Sequence, residues 1–548
     1  MSDNAARLLK LAQAEFPDLT APEREVLRAA GTGEVADLAQ WGTPPSKPKK
    51  YNPGGGPLRS RLVEWLCTDA QAKQLVHRKG LRIKNATIDA KLDLERTEVP
   101  FSFALHNCRL PGLNAQSATL KDRLYLNHCR VDGEVDLNAA TISGQLQCDG
   151  AWFLNRGGMA LIADRATIGS SVSLSDGFRA VGAVRLLGTK ITGQLDCKEG
   201  CFLNRNGNAF SADNATISSD VRLSQGFRAV GAVRLPGANI AGQLDCEDGT
   251  FCNATGRALV LDCATILDTI FLEPKNVQGE ISLNQTVVTN ALRMLTPALA
   301  MASLNLSGAK VGLLFDARDS WPEQGKLQLD GFHYDNIHIN SPIDVKSRLD
   351  WLSRQPQDRL FTQPFDELIN FYRKSGLESA AIDVHIAKER KRSTLINDPL
   401  KRIWLIILDV TIRFGYRPHY AIAWLLGIVL TCATAFYLGS NGMTESISYY
   451  TYNSSNHSTI QGKIIASDYP TFNPFVYSID VALPIIDLQQ ERYWMPNSHH
   501  NGTGVPFYEN GNFLWAINRL EILFGWILVS VIVTGLASYI NKSKSQDI

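Results

Sequence analysis

Short apolar runs separated by turn residues fill the chain between residues 80 and 338. Runs such as GEVDL, GQLDC and GEISL alternate apolar and polar positions, and Gly, Asn or Asp stands between one run and the next. Alternation with a period of two is typical of strands, and runs this short indicate a backbone that turns every few residues. The pattern predicts a mainly β protein with a parallel β-solenoid at 80–338.

A longer period is superimposed on these runs. GFRAVGAVRL occurs at 177–186 and again at 226–235, and ISGQLQC at 142–148 returns as ITGQLDC at 191–197 and IAGQLDC at 240–246, each time 49 residues later. A fixed period indicates stacked units that cannot bury their apolar faces alone. We therefore predict coils of roughly 21–26 residues, some eleven in all, stacked about 4.8 Å apart over roughly 50 Å.

Two stretches, GANIAGQLDC and ADNATISSDVRL, resemble pentapeptide-repeat proteins and their longer-coiled relatives. The resemblance implies an interior ladder of small and aliphatic side chains. The spacing departs from five residues, with insertions at loops of the NRGG type, so the handedness and the cross-section of the coil stay open. The LxxLxLxxN frame of leucine-rich repeats, the competing solenoid, is not met.

Helical periodicity surrounds the repeat region. Residues 1–45 are predicted to form an N-terminal helical segment, 46–57 a linker rich in Pro and Gly, and 58–79 a helix that caps the first coil. At 339–395 the apolar positions again follow a helical period on both sides of Gly376. This region is predicted to be a helical coupling unit that resembles a tetratricopeptide helix pair.

The C-terminal region is predicted to cross a membrane twice. Residues 419–439 form an apolar stretch long enough to span about 30 Å of hydrocarbon, and a second stretch lies near 519–540. The segment at 396–418 is apolar but broken by charges, which is typical of an interfacial basic helix. Residues 419–548 are thus predicted to form a two-span hairpin with an external loop at 440–512.

Net charge does not indicate a partner, but its distribution predicts an orientation. The chain has 55 Lys and Arg against 54 Asp and Glu, which provides no specific signal for nucleic acid. Positive residues concentrate just before the first apolar stretch, whereas the loop at 440–512 has only Lys463 and Arg492. Both termini and the solenoid are therefore predicted to lie in the cytoplasm and the loop outside the inner membrane. The basic residues predicted to meet anionic lipid, or to act only as a topology signal, are Lys388, Arg390, Lys391, Arg392, Lys401 and Arg402.

The external loop contains an amphipathic segment, NPFVYSIDVALPIIDLQQERYW at 473–494. Val476, Ile479, Leu483 and Ile486 fit one face of a helix that Pro484 would interrupt. Two interpretations stay open. The segment either braces a simple anchor at the interface or re-enters the membrane as a pore, which would require a homo-oligomer. The candidate pore residues are Asp480, Pro484, Asp487 and Glu491.

Nine of the ten cysteines precede residue 270, and no secretory signal opens the chain. We therefore expect free thiols in a reducing compartment. Cys148, Cys197 and Cys246 share one position of the 49-residue unit and are predicted to stack in the solenoid interior. CKEGC at 197–201 is a weak metal signal without a second pair or a nearby His, so no metal is predicted.

No motif of known catalytic chemistry is present. GxGxxG, GxxxxGK[ST], HExxH and GxSxG are all missing, and the only adjacent histidines, His499 and His500, fall in the polar loop. We assign no catalytic residue and no cofactor. The stretches RSRLVEWLCTDAQAKQLVHRKGLRI and VYSIDVALPIIDL resemble a group of bacterial membrane proteins sometimes labelled membrane-associated oxidoreductases. That resemblance implies a redox activity for which these residues provide no machinery.

Three classes of function follow from this layout. The first is a membrane-anchored sensor or scaffold whose solenoid binds a cytoplasmic protein or other ligand and whose hairpin oligomerises and signals to the membrane. The second is a channel-like, pore-forming effector, such as one used in phage defence by abortive infection. The third is the oxidoreductase, so the enzyme class stays open.

Overall fold

The computed structural model describes residues 3–42, 54–359, 361–446, 449–453, 458–464, 469–502 and 504–544. The chain separates into two compact units, Met1–Val384 and His385–Ile548. Most of the predicted linker at 46–57 lies outside the described residues.

The predicted parallel β-solenoid is confirmed. About eleven coils stack between residues 81 and 337, and each strand pairs in parallel with its counterpart one coil along. The first four coils contain the strands Leu81–Lys84, Ala86–Ile88, Leu92–Asp93, Glu98–Val99, Phe103–His106, Arg109–Leu110, Leu113–Asn114, Thr119–Leu120, Leu124–Asn127, Arg130–Val131, Val135–Asp136, Thr141–Ile142, Leu146–Gln147, Trp152–Ile162 and Thr167–Ile168. The next five contain Val172–Ser173, Arg179–Arg185, Lys190–Ile191, Leu195–Asp196, Cys201–Ser211, Thr216–Ile217, Val221–Arg222, Arg228–Arg234, Asn239–Ile240, Leu244–Asp245, Thr250–Val260, Thr265–Ile266, Ile270–Phe271, Asn276–Ser282 and Val287–Met294. The last two contain Ser303–Asn305, Lys310–Asp316, Leu327–Gln328 and His333–Ile337.

Four sides make up each coil. Four short strands form the sides of the early coils, as in the coil that begins at Phe103. From the fourth coil to the ninth, one longer strand covers two neighbouring sides, and coils with an 11-residue strand alternate with coils with a seven-residue strand. This alternation is the structural origin of the 49-residue period.

Left-handed residues turn the chain at the corners. Arg165, Gly188, Asn214, Gly237 and Cys263 occupy one corner of five successive coils, with φ between 56° and 64°. Glycine and asparagine adopt this conformation at low cost, which explains why both recur between the short apolar runs.

The N-terminal helices close the first coil together with two short strands. The helices are α1 (Asp3–Glu15), α2 (Ala21–Thr32), α3 (Ser60–Thr68) and α4 (Ala72–Leu75), and a 3-10 turn lies at Ala39–Trp41. The strand Ala36–Asp37 pairs with Leu81–Lys84, and Gly56–Leu58 pairs with Ala86–Ile88. The prediction of helix over 1–45 and of linker up to 57 was therefore incomplete, because the open strand edges of the first coil take up backbone partners from the cap.

Three helices follow the last coil. They are α5 (Val345–Ser353), α6 (Gln363–Lys374) and α7 (Glu378–Thr394), and Gly376, with φ +73°, turns the chain between α6 and α7. Trp351 of α5 and Leu368 of α6 belong to the same apolar core as the solenoid interior. The core therefore extends from the coils into the C-terminal cap.

The second unit contains α8 (Pro399–Ile412), α9 (His419–Leu438), α10 (Pro474–Ala482), α11 (Gln490–Tyr493) and α12 (Gly511–Lys544). Strand pairs Met443–Glu445 with Trp494–Pro496, and Tyr449–Asn453 with Ser458–Ile464, are antiparallel, and 3-10 turns lie at Ser440–Gly442 and Phe507–Glu509. Two stretches, His419–Leu438 and Gly511–Thr534, are long and apolar enough to cross a membrane. The second begins eight residues earlier than the predicted 519.

Candidate functional site

The site with the most unusual chemistry lies where α9, α10 and α12 meet. Phe436 of α9 and Tyr477 of α10 make an edge-to-face contact with ring centroids 4.9 Å apart, and Leu514 of α12 completes the apolar cluster. The sequence fixes the short helix locally: Asn473 caps its first turn by accepting from the N–H groups of Phe475 and Val476, at 3.1 and 3.2 Å.

The polar side of α10 is buried. Tyr477, Ser478 and Asp480 are buried, whereas Val476 and Ile479, which the apolar pattern placed together on one face, are half-buried. The helix ends at Ala482, two residues before the half-buried Pro484. The element is therefore the predicted short helix, with its polar residues turned inward.

Glu521 of α12 lies at the centre of the site and is only 1% exposed. One of its carboxylate oxygens contacts the Ser478 hydroxyl, which also lies 2.9 Å from the Val429 carbonyl oxygen of α9. The Cys432 thiol of α9 also interacts with this carboxylate, whose other oxygen, Oε2, has no nitrogen or oxygen donor within the described residues. Arg519, two residues before Glu521 in α12, lies over the Trp515 ring, 5.1 Å from its centroid.

An open groove of about 450 Å³ runs beside Glu521 between α9 and α12. Its walls are mostly apolar and include Trp424, Cys432, Leu520 and Phe524. A carboxylate at the edge of an apolar groove in a helix that can span a membrane is a candidate functional group, because ionisable residues at membrane depth are costly.

The predicted acidic residues Asp480 and Asp487 make their contacts within the loop that follows α10. The Asp480 carboxylate accepts from the N–H groups of Leu488 at 2.6 Å and Glu491 at 2.9 Å, which closes the chain after α10 into a compact turn. Asp487 pairs with Arg492 at 2.9 Å and is exposed. The structure thus brings Asp480 to the backbone of Glu491 and leaves Asp487 on the surface.

The predicted basic residues divide into two groups. Arg390 of α7 donates two hydrogen bonds to Asp409 of α8, at 2.8 and 3.0 Å, and Arg413 reaches the same carboxylate at 3.2 Å. Burial alone would raise the pKa of Asp409, but the two guanidinium groups hold it below its usual value. Lys401 and Arg402 lie exposed on α8.

The apolar side of α8 is exposed as well. Large side chains that lack cover from the described residues include Leu400, Ile403, Trp404, Ile407 and Val410. Exposed positive and apolar side chains on one helix are typical of a segment that lies in a membrane interface.

The three cysteines of the repeat are fully buried and occupy one position of every second coil. Leu174 and Leu223 hold the corresponding position in the coils between Cys148, Cys197 and Cys246. Burial raises the pKa of all three thiols, so they are packing groups with little thiolate character.

Two interior features were not predicted. Five phenylalanines form a ladder along the solenoid, and Asp316 forms a fully buried ion pair with Arg348 of α5. The recurrence of GF at 177 and 226, alternating with WF, CF and TF, is the sequence signal for the ladder. The ion pair joins residues 32 positions apart and leaves no local signal.

The fold and this site together define a class: a parallel β-solenoid followed by two helices long and apolar enough to cross a membrane. No protein-family model, curated protein or solved structure matches this chain. Its function is therefore inferred from the residues themselves.

Proposed function

We propose that this protein is a membrane-anchored β-solenoid that binds a protein or other ligand on its repeat domain, while its hairpin oligomerises and signals to the membrane. One observation supports the anchor above all others: the two long helices expose large apolar side chains. Trp424, Leu426 and Leu430 of α9 are 46 to 58% exposed, and Leu520 and Trp526 of α12 are 52 and 58% exposed. Apolar surface of this extent is unfavourable in water, and lipid chains would cover it.

Substitutions on the exposed side of α9 test the anchor. Leu426→Arg with Leu430→Arg should weaken membrane insertion, because each arginine near a span centre costs about 2.5–3.5 kcal/mol. The wild-type chain should stay in the membrane fraction after alkaline carbonate extraction, and the double variant should be released. Leu267→Arg, at a position on the solenoid that is 51% exposed, is the matched control and should behave as wild type. Release of the wild-type chain would overturn the anchor.

The orientation is proposed from the charge distribution, with the solenoid in the cytoplasm of a bacterial cell. Cys263 is exposed on the solenoid, and His499 is exposed in the loop between the two helices. A membrane-impermeant maleimide should label a His499→Cys variant in intact cells, whereas Cys263 should react only after lysis. Labelling of Cys263 in intact cells would contradict this orientation.

Oligomerisation of the hairpin is supported by the groove beside Glu521. A second copy that packs into the groove would supply apolar contacts to its exposed walls. Leu520→Cys, on the groove wall, should form disulfide-linked dimers in membranes, and Leu267→Cys should not. A monomeric Leu520→Cys chain would argue against this interface.

A conducting pore is the second candidate, and the position of α10 favours it. The helix lies against both apolar helices, as a re-entrant segment would. The hydrogen bonds of Asp480 to the loop backbone instead favour a segment that braces the anchor. Ion flux through proteoliposomes that is abolished by Asp487→Ala, but not by Asp398→Ala, would establish the pore; the anchor proposal predicts no flux above protein-free vesicles.

A further inference from the structure

One corner of the solenoid carries an aspartate in every second coil. Asp164, Asp213 and Asp262 are 49 residues apart, and each forms an ion pair with an arginine. Asp164 pairs with Arg185, and Asp213 pairs with Arg234 at 2.8 Å. In each aspartate, one carboxylate oxygen, Oδ2, is thereby satisfied.

The other oxygen, Oδ1, has a backbone donor in two of the three coils. Asp164 Oδ1 accepts from the Leu187 N–H at 3.1 Å, and Asp262 Oδ1 accepts from the Asn284 N–H at 3.2 Å. Pro236 occupies the equivalent position above Asp213 and has no N–H to donate. Asp213 Oδ1 is consequently buried without a hydrogen-bond partner in the described part of the chain.

Ser211 is left without a partner for a related reason. It lies between Arg185 and Arg234 in the strand ladder and is 3% exposed. Ser282 holds the equivalent position in a later coil and donates to Asp262, in the coil before it, at 2.5 Å. In the coil before Ser211, the position of that aspartate is held by Leu187, which cannot accept a hydrogen bond through its side chain. Within the described residues, the Ser211 hydroxyl and Arg185 Nε both lack a partner.

The residues that carry these three groups line one pocket. Arg185, Ser211, Asp213 and Arg234 line a cavity of about 440 Å³, and Met159 contributes an apolar wall. The Arg185 and Asp213 side chains are 34% and 23% exposed, so part of each reaches the cavity surface, whereas the three unpartnered atoms themselves are covered. Buried polar atoms without partners are rare in folded proteins, and three around one cavity of small-molecule size indicate a ligand site.

We propose that this pocket binds a small neutral ligand with adjacent hydroxyl groups, a polyol of the sugar type. Each guanidinium is already neutralised by a carboxylate, and the free oxygen of Asp213 opposes an anion. The two arginines in turn oppose a cation. A hydroxyl group donates to Asp213 while its neighbour accepts from Arg185, and Ser211 can serve either role. A free sugar and the terminal sugar of a longer glycan share this chemistry.

The inference rests on the proposed role of the solenoid as a binding domain, but it is independent of the anchor. A chain that binds no polyol leaves the carbonate and labelling experiments unaffected, so the two failures are distinguishable.

The test uses the full chain, purified in a detergent without a sugar headgroup, and saturation-transfer NMR followed by calorimetric titration. The polyol probes are glucose, galactose, mannose, myo-inositol and maltotriose, with inorganic phosphate and putrescine as charged controls. At least one polyol should bind more tightly than either control. Binding of a monosaccharide or inositol assigns a free polyol, whereas binding of maltotriose alone assigns the end of a glycan.

Two variants separate the pocket from the fold. Pro236→Leu restores the N–H that Leu187 provides to Asp164, so it should occupy Asp213 Oδ1 and weaken binding about tenfold. Ser211→Ala removes a hydroxyl that has no partner in the described protein, and it should weaken binding to a similar extent without lowering the melting temperature. Ser282→Ala, the matched control, should lower the melting temperature and bind as wild type. The proposal is overturned if no polyol binds, if phosphate or putrescine binds better, or if either pocket variant binds as tightly as wild type.

Discussion

Phenylalanine side chains form a continuous ladder through five coils of the solenoid. The rings of Phe153, Phe178, Phe202, Phe227 and Phe251 are fully buried, and successive centroids lie 5.3 to 5.5 Å apart. The repeated decapeptide supplies two of the five. Packing explains why both copies carry phenylalanine here, because a change at this position would be felt in both neighbouring coils.

Removal of the central ring should therefore be costly. Phe202→Ala is expected to lower the free energy of unfolding by about 3–5 kcal/mol, since it leaves a cavity between Phe178 and Phe227. Chemical denaturation of the full chain, followed by tryptophan fluorescence, measures the change. Leu267→Ala, at a position that is 51% exposed, should have little effect. A loss below about 1 kcal/mol for Phe202→Ala would contradict this packing role.

The thiols should differ sharply in reactivity. Cys263 is exposed at a left-handed corner, whereas Cys148, Cys197 and Cys246 are buried and burial raises their pKa. At neutral pH, iodoacetamide should modify Cys263 in the folded chain and the other three only after unfolding. Site-resolved mass spectrometry reads the result, and early modification of Cys197 in the folded chain would refute it.

At the residue scale, the sequence predicted stacking only where the same residue type recurs at a constant interval. The three cysteines repeat every 49 residues in the same context, so their shared position can be inferred. The ladder phenylalanines lie 24 or 25 residues apart in turn, and only Phe178 and Phe227 share a preceding sequence context, so their stacking depends on knowing where each coil closes.

At the scale of elements, the helix α5 is attached to the last coils by a buried charge. The Arg348 guanidinium donates to both Asp316 oxygens at 2.8 Å, and Trp321 Nε1 donates to the same carboxylate at 2.8 Å. The guanidinium also lies 5.4 Å from the centre of the Trp351 ring. This arrangement joins α5 to the last coils through one buried carboxylate.

Loss of the arginine should leave Asp316 buried and uncompensated. Arg348→Ala is expected to destabilise the protein by about 3–5 kcal/mol. Arg318→Ala breaks an exposed contact with Asp350, at 3.8 Å, and should cost under about 1 kcal/mol. Hydrogen exchange on α5 locates the effect, and equal stability of the two variants would disprove the assignment.

The N-terminal cap should respond to pH through Glu23. Its carboxylate is buried against Arg59, with contacts of 2.5 and 2.8 Å. Burial would raise the pKa of Glu23, but hydrogen bonds from Arg59 and Thr20 more than offset it and lower the pKa below 4.5. Because the pKa is lower in the folded state, the pair stabilises the cap at and above pH 4.5, and this contribution is lost as pH falls through the folded value.

Amide hydrogen exchange in α2 should therefore accelerate between neutral pH and pH 3, after correction for intrinsic rates. Glu23→Gln should remove most of this pH dependence. Glu15→Gln changes an exposed partner of Arg61 outside α2 and should leave this pH dependence intact. An unchanged pH profile in Glu23→Gln would contradict the prediction.

Elements whose own residues specify them could be predicted from the sequence. Elements that form only by pairing with distant segments could not. The start of α10 follows from Asn473 and Pro474, which cap and initiate a helix in any context. The strands Ala36–Asp37 and Gly56–Leu58 form because the first coil, which begins at Leu81, presents unpaired edges. Such strands are specified by their partners rather than by their own residues.

On the scale of the whole molecule, the number and kind of coils were predictable because every coil repeats the same physical problem. The candidate site in the hairpin was harder to predict from the sequence. Ser478 and Glu521 are 43 residues apart, and their contact depends on three helices that meet through intervening loops. Composition identified the apolar stretches, but not which acidic side chain would be enclosed by them.

Because long-strand and short-strand coils alternate from the fourth coil to the ninth, this part of the solenoid should tolerate shortening only by pairs. Deletion of residues 191–239 removes two coils and joins Lys190 to Ile240, which preserves the order of cysteine and leucine layers. Deletion of 191–216 removes one coil and brings Leu174 against Leu223, where a smaller thiol would otherwise intervene. Circular dichroism and thermal melting should show a cooperative fold for the first chain and a marked loss of stability for the second. Between the fourth and ninth coils the unit of length is thus a doublet of windings, and variants shortened or extended there should differ by whole doublets.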